Sequence, residues 1–162
     1  MNKIDLGACT LPIFATPVVN YSIAEGKSLN IRLRALILEL EQSSSGVVKS
    51  NVGGWHSPTN FLQNKDANVQ DLGQRLGEIS LALVNQFFHE TARINKNFLR
   101  LEGWANILRY GQYNTLHCHP NALWSGVYFA TDNERISQHP MSGKLELLDP
   151  RPGASFTYDE RS

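Results

Sequence analysis

The spacing of apolar residues changes near residue 97, and this change constrains the folds open to the chain. Before it, two stretches repeat apolar side chains every three or four residues, the period of a helix that buries one face. After it, apolar and β-branched residues form short runs separated by turn-forming residues, as in strands. We therefore expect an α+β protein.

The first helix is predicted from Ser28 to about Gln42, with Ser28 as a candidate N-cap. The second follows Asp66 or Asn68, either of which can cap it, and runs to about Ala92. The helices should pack side by side through two apolar stripes, formed by Leu29, Leu33, Leu36, Ile37 and Leu40, and by Val69, Leu72, Leu76, Ile79, Leu83 and Phe87.

Strands are predicted over residues 98–110, 113–119, 123–131 and 144–148. An edge strand over 11–19 precedes the helices, because its two prolines lack backbone donors. Between the helices, Gly53 and Gly54 precede Trp55 and His56 in an irregular loop. This loop either closes one end of the core or faces a substrate, and His56 either stacks on the loop or hydrogen-bonds a substrate.

Composition indicates one globular domain over residues 1–162, with 41% hydrophobic residues. Its 15 basic and 15 acidic residues give no broad attraction to nucleic acid. No apolar run approaches the roughly 20 residues of a membrane span, so we expect a cytoplasmic protein without membrane contact. Cys9 and Cys118 fit a reducing compartment, with Cys118 a small buried residue.

His117 and His119 form the strongest candidate site. In an extended segment, alternate side chains share a face, so both imidazoles point one way and Cys118 points the other. Pro120 ends regular pairing directly afterwards, which places the pair at the mouth of a strand. The pair can hold a metal, or each ring can be satisfied by a carbonyl or carboxylate.

The sequence resembles a family of uncharacterised oxygenases, dependent on 2-oxoglutarate and iron(II), that are similar to prolyl hydroxylases. The resemblance lies in four blocks: LPIFATPV (11–18), SNVGGWHS (50–57), HCHP (117–120) leading into SGVYF (125–129), and SGKL (142–145) ending at DPR (149–151). It implies a double-stranded β-helix, which is a jelly-roll or cupin-like fold, with two N-terminal helices packed on its major sheet.

The resemblance also implies Fe(II) and the cosubstrate 2-oxoglutarate at the open end of that fold. His117 falls on the first iron ligand, and His119 falls where related oxygenases usually carry a carboxylate. Asn114 matches a position where similar enzymes often have a tyrosine that holds 2-oxoglutarate, and Tyr128 can hydrogen-bond a carboxylate.

Family members continue into strands that carry a third histidine and a basic residue, whereas this sequence ends at Ser162. We therefore expect a domain that is incomplete at its C-terminal end and can self-associate through uncovered strand edges. His139 lies among turn residues and is not expected to replace the third ligand. Arg109 and Lys144 can supply positive charge, although both are expected at the surface.

Two functions remain open from the sequence. The first is a dioxygenase that hydroxylates a small molecule or peptide while 2-oxoglutarate is decarboxylated to succinate. The second is a non-catalytic or degenerate cupin-like module that binds a metal or small molecule. A hydrolase using Cys118 is disfavoured, because alternation turns its thiol away from both histidines.

Overall fold

Two helices and four short strands form the regular structure of the described residues. The structure, a computed structural model, describes residues 15–87, 99–131 and 142–151. The elements in chain order are helix α1 (Gly26–Ser43), strands β1 (Asn51–Val52) and β2 (Trp55–His56), a 3-10 turn (Phe61–Gln63), helix α2 (Ala67–Phe87), and strands β3 (Asn106–Ile107) and β4 (Tyr113–Asn114). Two helices together with small antiparallel pairings agree with the expected α+β class.

Helix α1 buries the apolar stripe that its periodicity predicted. Leu29 and Leu33 are 2% and 0% exposed, and Leu36, Ile37 and Leu40 pack against the same core. The predicted N-cap at Ser28 is wrong, because the helix begins two residues earlier, after Glu25 in a left-handed conformation. The Ser28 hydroxyl instead donates to the Glu25 carbonyl oxygen at 3.2 Å.

Helix α2 begins where the capping prediction placed it. The Asp66 carboxylate accepts a hydrogen bond from the backbone N–H of Asn68 at 2.8 Å. It therefore satisfies one of the first-turn N–H groups that have no partner within the helix. The Asn68 side chain also accepts a hydrogen bond from Arg32 of α1 at 2.6 Å. This contact joins the two helices, which pack side by side as predicted. The predicted end near Ala92 lies outside the described residues.

The hydrophobic core lies between the helices and the loop that joins them. Seven buried residues form it: Leu29, Leu33, Trp55, Phe61, Val69, Leu72 and Ala105. Each fully buried large side chain of this kind contributes about 1.5–3 kcal/mol relative to an exposed one. Ala105 comes from the second half of the chain, so the core also anchors the segment that leads into the histidine pair.

Two antiparallel pairings attach residues 106–107 and 113–114 to the interhelical loop. In the first, Trp55 lies opposite Ile107 and His56 lies opposite Asn106. In the second, Asn51 lies opposite Asn114, and the register continues with the N–H of Thr115 donating to the carbonyl oxygen of Ser50 at 2.8 Å. The loop therefore determines where the following histidines lie.

The paired glycines allow this close approach. Gly53 has φ +77°, a left-handed conformation that a side chain disfavours. A Cβ atom at Gly54 would lie 2.7 Å from the carbonyl oxygen of Ile107. Trp55 is buried, and its indole N–H donates to the carbonyl oxygen of Ser44 at 2.9 Å. Trp55 therefore closes one end of the core, as the first of the two interpretations of this loop expected.

Several strand predictions are wrong. Residues 123–131 and 144–148 have no regular secondary structure, and neither do residues 15–19, while 11–14 lie outside the described residues. Apolar alternation produces a strand only where a partner supplies hydrogen bonds and covers one face. Here Leu123, Val127 and Leu147 are 56%, 57% and 64% exposed.

Candidate metal centre

A cavity of about 470 Å³ lies where the two strand pairings meet. Its lining comes from the interhelical loop and from the segment around the histidine pair: Lys49, Ser50, His56, Thr59, Trp104, Thr115, His117 and His119. These side chains are cationic, hydroxylated or aromatic, and none is a carboxylate. The composition of the wall therefore favours a metal, an anion or both together.

His117 and His119 face the same cavity, as the two-residue period predicted. Their ring centroids are 4.9 Å apart, and the rings meet edge to face at 65°. Metal–nitrogen bonds are about 2.0–2.1 Å long, so two nitrogens on one ion lie within roughly 4 Å of each other. Rings at the observed spacing can present nitrogens within that reach.

The chain fixes the tautomer of His117. Its Nδ1 lies 2.7 Å from the carbonyl oxygen of Thr115, and a carbonyl can only accept a hydrogen bond. In the neutral ring, Nδ1 therefore carries the proton and Nε2 keeps its lone pair. Metal-binding histidines commonly donate their second ring nitrogen in this way, which orients the ring and raises its basicity.

Cys118 is exposed, so its prediction as a small buried residue is wrong. The alternation of side chains is nevertheless observed, because Thr115, His117 and His119 line the cavity and Cys118 does not. The face that carries Cys118 has no covering element among the described residues. A thiol pointing away from both imidazoles has no activating partner in the cavity.

Trp104 stacks with two of the cavity histidines. Its ring centroid is 5.3 Å from that of His119 and 5.4 Å from that of His56, with interplanar angles of 24° and 15°. His56 is 2% exposed, and its Nδ1 donates to the carbonyl oxygen of Ser57. Trp104 was not predicted as a site residue, although an indole at the start of the segment that leads to the histidine pair was an available signal.

Asn114 and Tyr128, the two residues predicted to bind the cosubstrate, are not among the described residues that line the cavity. Asn114 is in β4, and its Oδ1 is buried without a hydrogen-bond partner in the described part of the chain. The Tyr128 hydroxyl donates to Oδ1 of Asn30 in α1, and burial raises the pKa of Tyr128. The roles of Asn114 and Tyr128 toward 2-oxoglutarate stay predictions.

The positive charges proposed from sequence are at the surface. Arg109 donates to both carboxylate oxygens of Glu41 at 2.6 and 2.7 Å, and its guanidinium lowers the pKa of Glu41. Lys144 is exposed. Among the described residues, Lys49 is the basic side chain that lines the cavity, and the sequence reasoning did not single it out.

The donor set fits part of an iron site. Two imidazoles on one wall can supply two nitrogen ligands, and Fe(II) oxygenase sites leave other positions open for substrates and oxygen. In residues 15–87, 99–131 and 142–151, no group of three or more His, Cys, Asp or Glu side chains could hold a metal. His139 lies outside those ranges, so its exclusion as a ligand stays a prediction.

Residues 102–161 match the sequence model of a family described as "Putative 2OG-Fe(II) oxygenase". The match includes both histidines and the DPR block, and it confirms the predicted resemblance for this segment. Searches of curated proteins and of solved structures found no match to the chain. Among the described residues, no helix is long and apolar enough to cross a membrane.

Proposed function

We propose that this protein is a 2-oxoglutarate- and Fe(II)-dependent dioxygenase that hydroxylates a small molecule or peptide. The observation that carries the proposal is the convergence of His117 and His119 on one cavity, within the segment that matches the oxygenase family. The same resemblance supports a double-stranded β-helix as the complete fold, with α1 and α2 packed on its major sheet.

His117 and His119 would hold the iron. His117 would do so through Nε2, because its Nδ1 proton is committed to the Thr115 carbonyl oxygen. Iron(II) held there together with 2-oxoglutarate would supply oxygen activation: one atom of O2 would be inserted into a substrate C–H bond, and the other would go into succinate with release of carbon dioxide. The backbone pairing of Thr115 with Ser50 would keep His117 in place during turnover.

The cavity wall suits an anionic cosubstrate. An imidazole at the usual carboxylate position leaves the site one negative charge short, so a 2-oxo acid would neutralise more of the metal charge. Lys49 adds a positive charge to the wall, and Ser50, Thr59 and Thr115 bring hydroxyl groups. Hydrogen bonds from a charged donor to a carboxylate are about twice as strong as neutral ones.

The test is succinate release with Fe(II), ascorbate and 2-oxoglutarate, with and without candidate acceptors. We expect turnover in the wild-type protein and its loss in His117→Ala and in His119→Ala. Cys118→Ala is the matched control, because this exposed residue lies between the ligands and outside the cavity. Absence of succinate from folded wild-type protein, or full turnover in both histidine variants, would contradict the proposal.

The second candidate is a non-catalytic cupin-like module that binds a metal or small molecule. It is favoured by one feature of the pair, namely that His119 replaces the usual carboxylate ligand. The variant His119→Asp restores the ordinary pattern and separates the candidates. Metal binding without turnover in the wild type, together with turnover in His119→Asp, would identify a degenerate site. Turnover in the wild type would exclude the non-catalytic module.

A further inference from the structure

The two rings of the histidine pair are held in different ways. His117 is oriented by its hydrogen bond to the carbonyl oxygen of Thr115. The His119 ring has no hydrogen-bond partner within the described ranges, and its aromatic contacts there are the edge-to-face approach to His117 and the stack with Trp104. Rotation about the side-chain bonds of His119 is therefore restricted by aromatic packing.

The backbone at Trp104 is fixed on both sides. The N–H of Gly103 donates to the carbonyl oxygen of Thr59, and its own carbonyl oxygen accepts from the N–H of Phe61 at 3.1 Å. On the other side, Ala105 and Ser57 exchange two hydrogen bonds of 2.9 Å. The indole consequently projects from a segment that is tied to the core.

The inner partner of the stack, His56, is also held by the fold. His56 is buried, lies opposite Asn106 in the β2–β3 pairing, and donates Nδ1–H to the carbonyl oxygen of Ser57. With Trp104 in place, a series of ring contacts runs from this buried imidazole to the histidine pair. The series transmits the rigidity of the core to the His119 ring, which has no hydrogen-bond partner of its own in the described part of the chain.

We propose that Trp104 is a positioning residue for the metal site, holding the His119 imidazole in the orientation that metal binding requires. This inference rests on the proposed function, because it takes the histidine pair as the metal ligands. An imidazole that is free to rotate must be ordered when the ion binds, and that ordering lowers affinity. A ring already held by stacking is ordered before the ion arrives.

The test measures Zn²⁺ binding by calorimetry in Trp104→Leu, Trp104→Phe and the wild type. Loss of one stacked pair is expected to weaken Zn²⁺ binding about three- to tenfold in Trp104→Leu. Trp104→Phe keeps an aromatic face and should restore most of the affinity. Trp124→Leu is the control, since Trp124 contacts Phe87 and is not among the residues lining the cavity.

A second readout needs no metal. In NMR spectra of the metal-free wild type, the ring current of the Trp104 indole should shift the resonances of the His119 imidazole protons. Trp104→Leu should abolish this shift. The unfolding midpoint of the variant shows whether it folds. Wild-type Zn²⁺ binding that Trp104→Leu leaves unchanged would overturn this inference alone. Failure of Trp104→Phe to recover affinity in a folded protein would also overturn it. A wild-type protein that binds no Zn²⁺ would overturn the proposed function and this inference with it.

Discussion

The helical region, residues 15–87, and the site region, the described residues of 99–151, are stabilised in different ways. The helices satisfy their own backbone hydrogen bonds and supply most of the buried core. The site region has two-residue strands, and many of its large apolar side chains are exposed, including Leu116, Leu123 and Leu148. Most of the regular structure therefore lies in residues 15–87, whereas the histidine pair lies in the less regular part of the chain.

The site region depends on the loop within the helical region. Both of its strands pair with residues of the segment 51–56, and Ala105 inserts into the core beside Trp55. The histidine pair itself lies beyond the last pairing. The comparison indicates that core substitutions should act mainly on folding, whereas substitutions around the cavity should act mainly on binding.

The largest effect on stability is expected in the helical region. Leu33→Ala removes a fully buried side chain, so the free energy of unfolding should fall by about 2–5 kcal/mol in urea titrations. Ile31→Ala is the control on the same helix, since Ile31 is 73% exposed and its loss should change stability by no more than about 0.5 kcal/mol. Equal effects from the two variants would show that the core is not where we place it.

A smaller effect is expected where the two regions join. Ser57→Ala leaves the buried N–H of Ala105 without its acceptor, which should cost about 1–3 kcal/mol of unfolding free energy. Hydrogen exchange at the Ala105 amide should accelerate correspondingly. Ser125→Ala, at an exposed position of the site region, should leave both quantities unchanged. Unaltered protection of Ala105 in Ser57→Ala would argue against this connection.

Lys49, in the cavity wall, is expected to affect binding and not folding. Lys49→Ala should weaken binding of 2-oxoglutarate to the metal-loaded protein about tenfold, because one charge-assisted hydrogen bond is lost. Calorimetry at low and high salt measures this, and the wild-type advantage should shrink with salt. Lys144→Ala, an exposed lysine outside the cavity lining, should bind like the wild type. Equal losses in both variants would indicate general electrostatics instead of a defined contact.

The smallest effect is local and lies in the DPR block. Hydrogen bonds from Arg151 lower the pKa of Asp149 from its ordinary value of 3.8 to about 2. Because the folded pKa is the lower one, the ion pair stabilises the fold above the unfolded pKa, and this contribution is lost as pH falls toward 2. NMR titration of the Asp149 carboxyl carbon should show the low value, and Arg151→Gln should return it toward 3.8. A wild-type value near 3.8 would contradict the ion pair.

The sequence predicted the helices well because their signal is local. The stripes through Leu33 and Val69 repeat with the helical period, and the Asp66 cap lies next to the helix that it starts. Strand prediction failed over residues 123–131, because a strand needs a hydrogen-bonded partner that is often distant in the chain, and a local pattern does not identify that partner. Helix α1 starts at Gly26 instead of near Ser28, after Glu25 in a left-handed backbone conformation, which the apolar periodicity did not indicate.

By itself, the sequence determined that His117 and His119 share one side, because side chains alternate in any extended segment. Only the tertiary structure decided what surrounds them. The antiparallel pairings bring Lys49, His56 and Trp104 to the pair from positions up to 70 residues away, and Trp104 gains its stacking role only through that register. Local periodicity sets the direction of a side chain, whereas long-range hydrogen bonding sets its neighbours.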